Sequence, residues 1–305
     1  MVKPRVVPPQ RKLVASFHGI YLLFSAWHSI KYIDPAESGA VIPILHVNGF
    51  KISERTIYGC MDNKELSSLF AGYGYQPTIV ETLEEIDSEL SGALEWAVNE
   101  IKKIQEAARD RKPIVKPRWP MIVLRTPKGW TGPKKVDGEF IEGSFHSHQI
   151  PVPNASKDKE HLKILQDWLK TYDTAHLLKD GKPADSILEI IPQKDEKRLG
   201  QLKKTYDPYQ QLKVPNWKTF AVEKASQNSC MKQTGDFLNQ VIKENPKSFR
   251  IFSPDELESN KLSAVFENTG RNFQWDEFSR AQGGRVIEIL SEHCCQGWMQ
   301  ASIPG

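Results

Sequence analysis

The chain has 305 residues, of which 41 are Lys or Arg and 38 are Asp or Glu, giving a formal net charge of +3. Hydrophobic residues make up 39% and charged residues 26%, as is ordinary for a globular protein with one large or two modest domains. A charge so near balance does not favour nucleic acid as a partner. The basic segments at residues 112–118 and 194–204 are interrupted by prolines or acids, which favours a solvated surface.

Cysteines and the N-terminus bear on the compartment. Cys60, Cys230, Cys294 and Cys295 do not make a disulfide framework in a chain this long, so we expect buried, reduced thiols and a cytoplasmic protein. The apolar run at residues 17–27 is too short to cross a membrane, which takes about 20 apolar residues. A signal peptide is the alternative, but no small-residue cleavage site follows. We therefore expect no membrane partner.

The first half of the chain predicts alternating strands and helices. Residues 40–47 and 76–81 are predicted strands. Residues 64–70 between them are a predicted short helix, closed by Gly72 and Gly74.

The clearest predicted helix begins at Thr82, where Thr82 and Glu85 have the spacing of a capping box. Its apolar residues keep helical spacing until Pro113 ends the pattern. A buried strand follows at residues 121–125, bounded by Pro120. This order predicts an α/β fold with a parallel sheet, in which ligands bind beyond the carboxyl ends of the strands.

The second half has a different character. From residue 154 to residue 245 we expect a connecting segment with helices at Lys159–Lys170 and Cys230–Glu244, and no compact sheet. Strands at residues 249–252 and 284–290 then predict the start of a second α/β module.

Two polar residues directly follow predicted strands. The amide oxygen of Asn48 is suited to a divalent cation, and the ammonium group of Lys128 to a phosphate. Each has a plain alternative, since Asn48-Gly49 is a common turn and a lysine in a loop is usually solvated.

Two further positions are candidates for catalysis. His146 and His148 could form a metal pair, but no third ligand has suitable spacing, so a single active-site imidazole is favoured. Glu292 follows a predicted strand. A buried carboxyl group there could exchange a proton with a ring nitrogen of a ligand, whereas an ordinary exposed glutamate is the alternative.

Several long segments occur in the order found in one enzyme family. They lie at residues 27–35, 44–52, 72–75, 118–134, 142–151, 249–260 and 290–298. On these segments the chain resembles the phosphoketolases, thiamine-diphosphate enzymes that cleave sugar phosphates. Ile30 stands where the family has an asparagine.

The resemblance implies roles for the candidate residues. Asn48 and the backbone carbonyl of Phe50 would ligate Mg²⁺ or Ca²⁺, and Lys128 with Gly129 would bind the cofactor diphosphate. His148 would lie beside the reacting carbon, and Glu292 would protonate the aminopyrimidine ring. The implied reaction cleaves xylulose 5-phosphate or fructose 6-phosphate with inorganic phosphate, giving acetyl phosphate and an aldose phosphate, with the cofactor as electron sink. A homodimer is implied for the full-length enzyme.

The chain also departs from the family. The acidic metal-binding motif should lie near Ala15, where residues 14–19 contain no carboxylate. We therefore expect a fragment truncated at both ends: a divergent segment at residues 1–26, the later part of the diphosphate module at 27–153, a connector at 154–245, and the start of the aminopyrimidine module at 246–305. We expect it to bind thiamine diphosphate weakly. The alternative is a non-catalytic relic that acts as an interaction module.

Overall fold

The computed structural model describes most of the chain after residue 25. The divergent segment expected at residues 1–26 therefore lies almost wholly outside the described residues, together with Ala15 and most of the apolar run at residues 17–27. The described residues are 26–148, 150–194, 198, 211–272 and 283–302.

The chain divides into two compact units. We call the first the sheet unit; it comprises Ile42–Glu100 and Pro120–Thr205. We call the other the second unit; it comprises Met1–Val41, Ile101–Trp119 and Tyr206–Gly305. The four domains expected from the sequence, and the three boundaries between them, stay a prediction.

The sheet unit is built on three strands, β1 (Ile44–Val47), β2 (Tyr75–Val80) and β3 (Trp119–Arg125). Their order is β1-β3-β2, and β1 pairs in parallel with β3. Residues that follow all three strands line the same cleft, so all three run in one direction. The predicted α/β fold with a parallel sheet is confirmed.

The prolines shift two predicted strand boundaries. β1 begins at residue 44 and not at residue 40, because Pro43 has no N–H to donate to the ladder, although its carbonyl accepts from the amide of Ile122 at 2.9 Å. β3 begins at Trp119, so Pro120 lies inside the strand and does not bound it. Trp119 to Val123 are buried, as expected for the central strand.

The first helix, α1 (Asn63–Tyr73), is longer than the predicted helix at residues 64–70. The carboxylate of Asp62 accepts from the amide of Glu65 at 2.7 Å, and the carboxylate of Glu65 accepts from the amide of Asp62 at 2.9 Å. This capping box starts the helix before residue 64. Gly72 lies within the helix, and Gly74 ends it with φ 109°.

The long helix α2 (Ile86–Arg109) has residues in both units. The predicted capping box between Thr82 and Glu85 is wrong. The hydroxyl of Thr82 donates to Glu89 Oε1 at 2.6 Å, and the amide of Glu85 reaches only the backbone carbonyl of Thr82. Residues 83–85 form a turn, so Glu89 in the first helical turn is the side chain that reaches back.

The hydrophobic core of the sheet unit lies between the sheet and the start of α2. Ile122 of β3 packs with Val80 of β2 and with Ile86 and Ala93 of α2. This core packs β2 and β3 against the same helix. The loops that line the candidate site follow the carboxyl ends of these strands.

Among the described residues, the sheet unit also contains two short hairpins and two further α-helices. The elements are β4 (Lys135–Val136), β5 (Glu139–Phe140), α3 (Lys159–Lys170), β6 (Leu178–Lys179), β7 (Lys182–Pro183) and α4 (Asp185–Ile190). The predicted helix at Lys159–Lys170 is confirmed to the residue, with Asp158 capping it through the amides of Glu160 and His161 at 2.8 and 3.2 Å.

The second unit contains α5 (Cys230–Glu244), β8 (Ile251–Ser253), β9 (Val286–Glu288) and α6 (Glu292–Ser302). α5 has the predicted bounds. β8 and β9 pair in parallel, but both are shorter than or displaced from the strands predicted at residues 249–252 and 284–290. Ile242, Leu257, Val265 and Val286 form their shared core.

The structure also bears on the expectations about the cysteines and about membrane-spanning helices. Cys294 and Cys295 are buried, but Cys60 and Cys230 are exposed, so the prediction of buried thiols is wrong for two of the four. Both exposed cysteines lie at helix ends, Cys60 as the last residue of a 3-10 helix and Cys230 as the first residue of α5. Among the described helices, none has the length and apolar character needed to cross a membrane.

Candidate functional site

A cleft of about 320 Å³ lies in the sheet unit at the carboxyl ends of the three strands. Residues 47–50 line it from the end of β1, Glu81 and Leu83 from the end of β2, and residues 125–128 from the end of β3. Parallel sheets bind ligands at this edge, so the cleft is where the fold itself predicts a site.

The cleft carries three cations and one carboxylate. Arg55, Arg125 and Lys128 line it together with Glu81, whose Oε1 accepts from the side-chain amide of Asn63 at 2.7 Å. Among the described residues, none of the three cations forms an ion pair. The positive charge is therefore left for an anionic ligand.

Asn48, Gly49 and Phe50 form a tight turn directly after β1. The side-chain oxygen of Asn48 accepts from the amide of Phe50 at 3.1 Å, and Gly49 has φ 89°, where glycine is favoured. An amide oxygen has two lone pairs, so Asn48 can stabilise its own turn and still contact a cation. The turn interpretation and the ligand interpretation of Asn48 are compatible.

Lys128 is only 8% exposed, which excludes the solvated-loop alternative. Its ammonium group donates to the carbonyl of Lys51, beside the Asn48–Phe50 turn. Thr126, in the same loop, bonds to His46 Nε2 at 2.7 Å and so joins the ends of β3 and β1. The loop that carries Lys128 is thus fixed to both strands.

Gly129 and His148 do not line the cleft, although Gly129 directly follows Lys128, which does. Gly129 has φ 71°, and a Cβ on it would lie 2.8 Å from Ser147 Oγ, so the 3-10 turn Phe145–His148 packs closely on this loop. Both His146 and His148 are exposed. In the part of the chain that the structure describes, no three His, Cys, Asp or Glu side chains group as a metal site would require.

Glu292 is the first residue of α6 in the second unit, and its side chain is exposed. The burial that the expected proton exchange of Glu292 requires is therefore not seen within this unit. Its predicted role stays a prediction. Asn48, Phe50 and Lys128 are the predicted residues that the structure brings into one cleft.

Sequence reasoning missed Arg55 and Arg125. Arg125 ends β3, and a charged residue closing an apolar strand is a usable signal. Arg55 gives no such signal, because it reaches the cleft only through the antiparallel bridge between Arg55 and Phe50.

A parallel sheet with a cationic cleft at its carboxyl edge is typical of α/β modules that bind anionic ligands. Comparison with known families is more specific. The model of the XFP N-terminal domain matches residues 21–210, and the model of D-xylulose 5-phosphate/D-fructose 6-phosphate phosphoketolase matches residues 232–305. The chain belongs to the phosphoketolase family.

Individual proteins similar to this chain are also named as phosphoketolases. A probable phosphoketolase of Schizosaccharomyces pombe is 48% identical over 90% of this chain and 34% of its own length. A xylulose-5-phosphate phosphoketolase of Lactiplantibacillus pentosus is 41% identical over 92% of this chain and 37% of its own length. The chain spans about a third of the length of the curated relatives it matches.

Proposed function

We propose that this chain is part of a phosphoketolase, a thiamine-diphosphate-dependent aldehyde-lyase, and that the cleft holds the cofactor diphosphate. The proposed reaction cleaves xylulose 5-phosphate, fructose 6-phosphate or both with inorganic phosphate, and forms acetyl phosphate and an aldose phosphate. One relative carries xylulose 5-phosphate in its name. The proposal for the longer protein includes a homodimer in the cytoplasm.

The observation that carries this proposal is the charge of the cleft. Arg55, Arg125 and Lys128 outnumber Glu81, and no described carboxylate pairs with the three cations. The cleft also lies within the residues that match the XFP N-terminal domain. An anion with more than one charge, such as a diphosphate, is the ligand that this excess suits.

The shape of the site fits a diphosphate better than it fits the accompanying cation. Gly49 and Gly59 leave the cleft wall without side chains, and a Cβ on Gly59 would lie 2.6 Å from Gly49 Cα. For Mg²⁺ or Ca²⁺ we propose only the side-chain oxygen of Asn48 and the carbonyl of Phe50 as ligands. Neither is a carboxylate, and hard cations prefer at least one.

The remaining roles follow the family resemblance. Lys128 and Gly129 would hold the diphosphate, His148 would act beside the reacting carbon, and Glu292 would hold a proton at the aminopyrimidine ring. Bound thiamine diphosphate supplies an electron sink for carbon–carbon cleavage. We retain residues 27–153 and 246–305 as the proposed diphosphate and aminopyrimidine modules, joined by a connector at 154–245.

Calorimetric titration with thiamine diphosphate and Mg²⁺ tests the proposal. We expect binding weaker than about micromolar, lost with thiamine in place of its diphosphate, because one charged-group contact contributes about 1.5–3 kcal/mol. Lys128→Ala should weaken it further, whereas the exposed Lys163→Ala on α3 is the matched control. Equal affinity for thiamine and its diphosphate would contradict the proposal, and micromolar binding would contradict the expected weakness.

An interaction module is the second candidate, and the surface of α3 favours it. Leu162 and Leu169 are each 54% exposed on this helix, and Leu178 after it is 58% exposed. Sedimentation of the chain mixed with a full-length phosphoketolase tests this candidate. Complex formation that is lost in Leu162→Glu would support it, and independent sedimentation of the two proteins would exclude it.

A further inference from the structure

The loop that follows the Asn48–Phe50 turn is held by the cations of the cleft. Residues 51–61 leave the turn and return to it, with the amide of Thr56 donating to the carbonyl of Gly49 at 3.1 Å. Arg55 donates to the carbonyl of Gly59, and Arg125 donates to the carbonyl of Met61. Two guanidinium groups therefore hold the carbonyls on either side of Cys60.

The backbone held in this way packs directly on the turn. Gly59 is buried, and a Cβ built on it would lie 2.6 Å from Gly49 Cα, closer than real side chains approach. The amide of Gly59 also donates to the hydroxyl of Thr56 at 2.9 Å. Any displacement of Gly59 is therefore transmitted to Gly49, which stands between Asn48 and Phe50.

We propose that Arg55 and Arg125 are positioning residues that hold Gly59 against Gly49 and so fix the Asn48–Phe50 turn in its ligand-binding geometry. This inference rests on the proposed function, since the turn matters for binding only if it contacts the cation of the cofactor. It assigns to two residues of the cleft a task that differs from direct contact with phosphate.

The bonding of Arg125 supports positioning over direct contact. One terminal nitrogen is committed to the carbonyl of Met61, and Nε is buried with no partner among the described residues. A ligand in the cleft does not reach a nitrogen that water does not reach. The planar fork of arginine suits carbonyls at fixed positions, and lysine lacks that geometry while keeping the charge.

Deuterium exchange on the ligand-free chain tests the holding role. Arg125→Lys keeps the charge, and Gly59→Ala keeps both arginines but removes the close contact with Gly49. We expect both to speed exchange of the Thr56 amide by about tenfold, with little change outside residues 48–61, because local opening follows local contacts. Gly72→Ala is the matched control, since a Cβ there meets nothing within 4 Å. Unchanged exchange in both variants would overturn the proposal.

A second measurement separates positioning from phosphate contact. Phosphorus NMR line broadening of thiamine diphosphate, titrated with Mg²⁺, gives the Mg²⁺ midpoint even when binding is weak. We expect Arg125→Lys and Gly59→Ala to raise that midpoint by a similar factor, and the double variant to add little more, because coupled sites are not additive. Weaker binding at saturating Mg²⁺ in Arg125→Lys alone would make Arg125 a direct ligand and overturn the proposal. If wild type broadens no signal, the proposed function fails, and the exchange result still decides the holding role.

Discussion

Charged side chains near the strands have different kinds of partner in the two units. In the sheet unit, Arg55, Arg125 and Lys128 donate to main-chain carbonyls of residues 51–61. Those carbonyls carry no net charge, so the cleft keeps its positive charge. A cleft with this charge attracts an anionic ligand.

In the described part of the second unit, the charged groups around β9 compensate one another. Glu288 at the end of β9 pairs with Arg271 and also accepts from the amide of Leu257 at 2.8 Å. Arg285 bonds to Glu37 at 3.0 Å. These groups join segments distant in sequence, and each of them meets a group of opposite charge. From this contrast we infer that a charged residue near the end of a strand indicates a ligand-binding site only where no side chain of opposite charge pairs with it.

The largest effect should come from removing a compensated group whose side chain is only 12% exposed. Glu288→Ala leaves Arg271 without its nearer carboxylate and the buried amide of Leu257 without an acceptor, which should destabilise the fold by about 2–4 kcal/mol. Urea denaturation measures this. Glu258→Ala is the control, because Glu258 is 59% exposed and 3.5 Å from Arg271, and it should cost less than about 1 kcal/mol. Equal losses of unfolding free energy in Glu288→Ala and Glu258→Ala would contradict this prediction.

An uncompensated cation should behave differently. Lys128→Met removes a charge that no carboxylate meets, so we expect urea stability to change by less than about 1 kcal/mol in either direction. The affinity for thiamine diphosphate with Mg²⁺ should fall by about tenfold, the effect of losing one charge-assisted contact. Stability and line broadening are measured on the same sample. A stability loss as large as that of Glu288→Ala would show that Lys128 is structural.

Much of the fold could be predicted because local signals coincided. α3 and α5 have the predicted bounds, since amphipathic spacing and terminal residues agree there. The start of α2 was mispredicted because Thr82 bonds to Glu89 and not to Glu85. Residue spacing alone did not distinguish the two acids.

The candidate site was predicted only where residues directly follow strands. Asn48 and Lys128 were found because parallel strands bring their carboxyl ends to one edge. Arg55 was missed because its place depends on a loop that folds back, and its partner is the carbonyl of Gly59. A carbonyl partner leaves no mark in the sequence. The close approach of Gly59 to Gly49 is equally invisible, since most glycines in turns have no such contact.

The sheet unit also contains a compensated pair. It tests whether a charged group stabilises the fold because it is paired, whichever unit it lies in. The carboxylate of Asp137 bonds to the imidazole of buried His161 at 3.0 Å and raises the pKa of His161 above its ordinary 6.5, although burial opposes the rise. A raised folded pKa stabilises the protein below about pH 6.5, and that stability is lost as pH rises through the folded pKa. Urea midpoints between pH 5 and 9 should therefore fall, and Asp137→Asn should flatten the profile. A wild-type midpoint that rises relative to Asp137→Asn would contradict this.

The smallest effect should come from a pair that is compensated but exposed. Lys179 and Asp185 are 3.3 Å apart, and their side chains are 69% and 75% exposed. Water screens both charges whether or not they meet, so Asp185→Asn should change stability by less than about 0.5 kcal/mol, and less still at high salt. Urea denaturation at two ionic strengths measures this, with Glu288→Ala as the buried counterpart. A salt-sensitive loss of more than about 1 kcal/mol would mean that pairing stabilises without burial. A null result, set beside a large loss in Glu288→Ala, would show that these two pairs differ in stabilisation as they differ in exposure to solvent.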